Sequence, residues 1–84
     1  MENTHTHKLY LYNDKKHSFL YVIACVINVC KHEPLQAEQC TIIAHKNGKC
    51  CVKNGDYLEM LELKEKFEKL NLISEIESHE SYMY

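Results

Sequence analysis

The sequence predicts a two-layer α+β domain of order β-α-α-β-α-β, a small three-stranded antiparallel sheet backed by three helices on one face. Three observations predict it. The chain has 84 residues, 45% of them hydrophobic, which is core enough for one small domain. Its apolar residues alternate in short stretches near both ends and recur at helical spacing between them. Pairs of turn-forming residues, Asn13-Asp14, Asn47-Gly48 and Asn54-Gly55, separate these stretches.

Lys8–Tyr12 (KLYLY) suits a strand, and Asn13-Asp14 supply the turn that ends it. The run from His17 to Lys31 is rich in Val and Ile but too long for a strand. Phe19, Val22, Ile23, Val26 and Cys30 follow i, i+3, i+4 spacing, so it reads as a helix capped by Ser18 or His17. Pro34 fits the first turn of a second helix, running to about Lys46 and burying Leu35, Ala37, Cys40 and either Ile43 or Ala44. Gly48 suits a left-handed cap at its end.

Lys49–Lys53 (KCCVK) reads as a short strand and Asn54-Gly55 as the turn after it. Asp56-x-x-Glu59 resembles a capping box for a third helix, Tyr57–Lys69. Its core-facing positions are Tyr57, Met60, Leu61, the Lys64 stem and Phe67. Glu62–Lys66 and Glu65–Lys69 have the spacing and orientation of supporting ion pairs. Leu70–Glu77 places Leu72, Ser74 and Ile76 on one face and closes the fold as a strand. The expected domain is thus residues 8–77, with an arm at 1–7 and a tail at 78–84.

Composition excludes several function classes. All ten basic residues are lysine and the net charge is −2. Without the bidentate guanidinium, nucleic acid is a poor partner. The apolar run Ser18–Cys30 is shorter than the about 17–25 residues that span a bilayer, so no membrane association is expected. Cysteines 25, 30, 40, 50 and 51 form an odd set and read as reduced thiols of a cytoplasmic protein. C-x4-C-x-H followed by a distant C-C is not a ligand knuckle, and neither metal nor cofactor is expected. No nucleophile elbow, phosphate-binding glycine loop or zinc-protease helix is present, which argues against an enzyme.

The chemistry that remains is recognition. Asn13 and Asp14 end the first strand, and His45 ends the second helix. An amide carbonyl, a carboxylate and a neutral imidazole nitrogen are all acceptors. Converging beside an apolar pocket, they suit a primary ammonium carried on a hydrophobic residue. Taken singly, Asn-Asp makes a turn and a terminal histidine caps helix carbonyls.

At this point the chain resembles the ClpS family, adaptors of an ATP-dependent Clp protease that recognise N-degrons. The family's strand ends in N-D-D before a T-P-M-E-F helix; here L-Y-N-D-K-K-H-S-F-L-Y occupies 11–21. H-K-N-G-K-C-C at 45–51 is similar to the family's histidine, glycine-lysine and cysteine-containing strand. E-M-L-E-L-K at 59–64 and L-I-S-E-I-E at 72–77 are similar to its third helix and last strand.

The resemblance implies a ClpS-like adaptor domain at 8–77 that binds a Leu, Phe, Tyr or Trp first residue. It delivers that substrate to the N-domain of a Clp AAA+ unfoldase. Asn13, Asp14 and His45 match the ammonium-binding positions. Phe19 falls at the pocket rim, where the family usually has methionine. Val22, Thr41, Ala44 and Leu72 fall on the pocket wall, and Glu59, Glu62 and Lys64 match the unfoldase-docking face. The sequence departs from the family at Lys15, which replaces the second aspartate, at Ser18, which replaces a proline, and at Thr41, usually apolar. A second reading of the same resemblance is a module that docks on a partner without reading N-terminal residues.

Overall fold

A computed structural model describes residues 7–78, and the element order is the expected one. Strand β1 (His7–Tyr12) is followed by helices α1 (Phe19–Cys30) and α2 (Pro34–Asn47). Strand β2 (Lys49–Gly55), helix α3 (Tyr57–Lys69) and strand β3 (Ser74–Ser78) complete it. The strands form one antiparallel sheet in the order β2-β1-β3.

β1 is central, hydrogen-bonded on both sides. Its alternation buries Leu9 and Leu11 completely and leaves Tyr10 and Tyr12 half-buried on the other face. There the Lys49 ammonium lies 4.4 Å from the Tyr10 ring centroid and 2.7 Å from Glu77. Leu9 and Leu11 pack in one core with Val22, Val26, Val52, Met60 and Phe67 from the helices and β2. Cys25, Cys30, Cys40 and Cys50 are buried free thiols in that core. Burial pushes Cys30 and Cys50 up to about 12, so they act as small hydrophobes rather than nucleophiles.

Each helix end has a visible cause. Ser18, not His17, caps α1, its side chain accepting from the Tyr21 amide. Asp56 caps α3 through the Glu59 amide. All three helices stop at a residue of positive φ: Lys31, Gly48 and Asn71. At α3, the Leu72 amide reaches the Phe67 carbonyl and the Asn71 amide reaches Glu68. That pair of bonds is a Schellman motif, with Leu72 and Phe67 buried beside it.

Several expectations are corrected. Leu35 is 68% exposed, because α2 buries the stripe Ala37, Cys40, Thr41 and Ala44, and Leu35 lies off it. Ala44, not Ile43, occupies the inward position. Tyr57 is exposed, and Leu61 is only half-buried. Asn54 and Gly55 are not a turn. They extend β2, pairing with Lys8 and His7, across a register irregularity between Leu9 and Tyr10.

β3 begins only at Ser74, since residues 70–73 carry the Schellman turn and its exit. Among the described residues the ion pair on α3 is Lys64–Glu68, at 2.5 Å, and neither expected pair closes. His7 and Ser78 are strand residues facing each other in the register. The rest of the expected arm and tail lies outside the described residues.

Phe67 is the largest fully buried side chain. Phe67→Ala should cost about 3–5 kcal/mol of unfolding free energy, whereas Leu35→Ala should change it by less than about 0.5 kcal/mol. Denaturant midpoints at unchanged m-value check both.

Candidate functional site

The site begins where β1 ends. The Tyr12 amide donates to the Ile73 carbonyl at 3.0 Å, and the Asn13 amide donates to Gly48 at 2.9 Å. Gly48, at φ 97°, also donates its own amide to Ala44, closing α2. One residue thereby fixes the end of β1 against the end of α2, bringing Asn13 beside Ala44 and His45.

Seven of the sequence-predicted residues meet around one cavity. Asn13, Asp14, Phe19, Val22, Thr41, Ala44 and His45 line it, together with Tyr12 and His17. Leu72 stands apart. It is buried and lines a second groove on the other side of the Asp14–His17 segment. Glu59, Glu62 and Lys64 are on α3 and none of them lines the cavity; Lys64 is around the helix from the two glutamates. Glu62 is exposed, and Lys64 is held by Glu68, whose hydrogen bond raises the pKa of its ammonium despite partial desolvation.

The cavity wall is apolar and its rim is polar. Val22 and Ala44 are buried, and Thr41 joins them because its hydroxyl donates to the Ala37 carbonyl at 2.9 Å. With that hydroxyl spent on its own helix, Thr41 behaves as a branched apolar residue. Among the described residues, neither the Asn13 amide group nor the His45 ring has a side-chain hydrogen-bond partner. His45 is exposed and meets Phe19 edge-on at 5.9 Å between ring centroids. The cavity volume is about 30 Å³, room for a water or two. With Phe19 against His45, it does not admit a large side chain.

Sequence reasoning missed His17 as a partner. Its ring nitrogen Nδ1 bonds Asp14 Oδ2, while Asp14 Oδ1 accepts from the amides of Lys16 at 2.8 Å and His17 at 3.3 Å. The ring also stacks on Tyr21 at 4.5 Å, and the Tyr21 hydroxyl donates to the Leu70 carbonyl. Burial raises the Asp14 pKa, but these hydrogen bonds outweigh it and hold the carboxyl below its ordinary 3.8. Asp-x-x-His after a strand is the signal available in the sequence, since an Asx turn places residues i and i+3 together. Among the described residues no group of three or more His, Cys, Asp or Glu could hold a metal ion. No helix among them is long and apolar enough to cross a membrane.

Comparisons with known proteins bear on the family and the fold. The family model for the ATP-dependent Clp protease adaptor protein ClpS matches residues 2–75. No curated protein matches the chain at a significant level. Among solved structures, Agrobacterium tumefaciens ClpS2 bound to L-phenylalaninamide matches with a TM-score of 0.81 at 17% identity. The match covers 90% of this chain and 99% of that one, and at such identity it speaks to the fold alone.

A depressed carboxyl pKa ties folded-state stability to the ionised form. The contribution is full above 3.8 and is lost as pH falls through the lower folded value. Asp14→Asn should therefore be less stable than the parent at about pH 7, with the gap narrowing toward about pH 3. Denaturant midpoints at the two pH values check this, and a gap independent of pH would exclude the ionic role.

Proposed function

The chain belongs to the ClpS family of ATP-dependent Clp protease adaptors, and from that premise we propose that it is a non-enzymatic adaptor reading hydrophobic N-terminal residues. The observation that carries the reading is the convergence of the Asn13 amide and the His45 imidazole, both without side-chain partners, on an apolar-walled cavity. A free N-terminal ammonium offers three donors and needs acceptors, which an Asn carbonyl and a neutral imidazole provide. Asp14 contributes negative charge, although its oxygens are already engaged by His17 and two amides. The first side chain would then enter between Val22, Thr41 and Ala44. The relative bound to L-phenylalaninamide presents the same pairing of a free amine with an aromatic side chain.

Entry requires Phe19 to move. It sits at the first position of α1, 43% exposed, so rotating it away from His45 breaks few buried contacts. We read Phe19 as a rim gate whose closed position lowers apparent affinity by the fraction of time it stays shut. Helix α3, which bears Glu59, Glu62 and Lys64, is the proposed docking element for the N-domain of a Clp AAA+ unfoldase in the cytoplasm. On these grounds residues 8–77 form the adaptor unit. The small cavity also suits the second reading, a module that docks on a partner without reading N-terminal residues.

A titration separates the two. A Phe-initiated peptide should bind, and acetylating its amine should weaken binding by at least about tenfold, the cost of losing a charged hydrogen-bonded group. Asn13→Ala should do the same for the free peptide. Equal affinity for free and acetylated peptides would sink the ammonium role and favour the docking module. Phe19→Ala should bind the Phe-initiated peptide more tightly than the parent. A loss of affinity in that variant would instead make Phe19 a contact rather than a gate.

A further inference from the structure

A large groove adjoins the candidate site. It has a volume of about 610 Å³ and is lined by Lys15, Lys16, Glu68, Asn71, Leu72 and Ile73. It shares Asn13, Asp14 and His17 with the small cavity, so the two lie on either side of the Asp14–His17 bridge. The other large groove, between His32, Cys40 and Glu59, shares none of them. A chain whose first residue occupies the cavity therefore has one groove continuous with its exit.

The charge of that groove is one-sided. It contains two acids and two lysines, and both acids are already engaged within the protein, Glu68 by a cation and the ionised Asp14 by hydrogen bonds. Asp14 is bonded by His17 and two amides, and Glu68 is bonded by Lys64 at 2.5 Å. Lys15 and Lys16 are exposed, and among the described residues neither ammonium forms an ion pair. With Glu68 paired to Lys64, the two cations outnumber the one carboxylate left in the groove, Asp14. Lys15 also follows directly on Asp14, so its field acts at the point where a bound chain would pass from cavity to groove.

We propose that Lys15 and Lys16 select peptides with acidic residues immediately after the hydrophobic first residue, which run in this groove. The proposal rests on the N-terminal reading given above. A positive subsite beside an ammonium-binding one has a physical logic. The carboxylate at the second or third position screens the bound ammonium from Lys15, turning like-charge repulsion into a three-charge alternation.

Fluorescence anisotropy with three labelled peptides beginning Phe-Asp-Asp, Phe-Ala-Ala and Phe-Lys-Lys tests it. The acidic peptide should bind about 2- to 10-fold more tightly than the alanine peptide, the range two solvent-exposed ion pairs supply. The lysine peptide should bind more weakly than either. The order should compress as ionic strength rises from about 0.05 M to about 0.5 M. In the double variant Lys15→Glu, Lys16→Glu the order should invert, a ratio that does not depend on absolute affinity. Equal binding of all three peptides, or an order unchanged in the variant, overturns the charge selection while leaving first-residue recognition intact. Failure of all three to bind removes both readings together.

Discussion

The candidate site depends on the backbone of Gly48. Its amide closes α2 on Ala44, and its carbonyl receives the Asn13 amide that follows β1. These two bonds convert a helix end and a strand end, with Asn13 and Gly48 35 positions apart in the chain, into one corner. The Asn13 side-chain amide and the His45 ring, neither with a side-chain hydrogen-bond partner among the described residues, stand at that corner. The φ of 97° is a conformation L side chains rarely adopt, which is why glycine is the residue suited to it. No atom lies within 4 Å of where a Cβ would be, so the demand is conformational and not one of space. The rest of the site follows from this join: Ala44 and Thr41 are about one and about two turns of helix behind it, and Phe19 is brought over His45 by α1.

The element order was readable because the pattern of apolar residues and the capping residues agree. Phe19, Val22, Val26 and Cys30 mark α1 by spacing, and Ser18 and Asp56 mark helix starts by side-chain chemistry. Gly48 was readable as a cap, but its second bond to Asn13 was not, because nothing local reports on a contact between distant segments. The errors share that cause. Asn54-Gly55 has the composition of a turn, yet the start of β1 supplies partners that draw it into the sheet. Leu70–Ile73 carries strand-like apolar residues, yet Asn71 adopts φ 64° and the segment becomes a helix stop. Leu35 is apolar but sits off the stripe that α2 turns inward.

At the site the same division holds. Asn13, Asp14 and His45 were nameable from their own chemistry at the ends of a strand and a helix, and Phe19, Val22, Thr41 and Ala44 through the resemblance to the ClpS family. The engagement of Asp14 by His17 was not, since it depends on how tightly residues 14–17 turn. That turn alters the electrostatics of the region. The carboxylate that would have met an incoming ammonium is already satisfied inside the protein, and acceptor duty passes to Asn13 and His45. With Glu68 held by Lys64, Lys15 and Lys16 outnumber the one carboxylate left beside them, Asp14. A site that looks balanced in composition is therefore polarised in structure, with neutral acceptors on one side of the Asp14–His17 bridge and cations on the other.

The pairing of His7 with both Gly55 and Ser78 sets a distance as well as a register. β1 runs six residues from that pairing to the cavity, which at the rise of an extended strand is about 20 Å. Anything joined before His7 or after Ser78 is attached at the end of the sheet remote from Asn13. A fluorophore, surface linker or fused domain can therefore be placed at either of those positions with the cavity mouth still turned toward solution. The central strand keeps the points of attachment and the point of recognition apart.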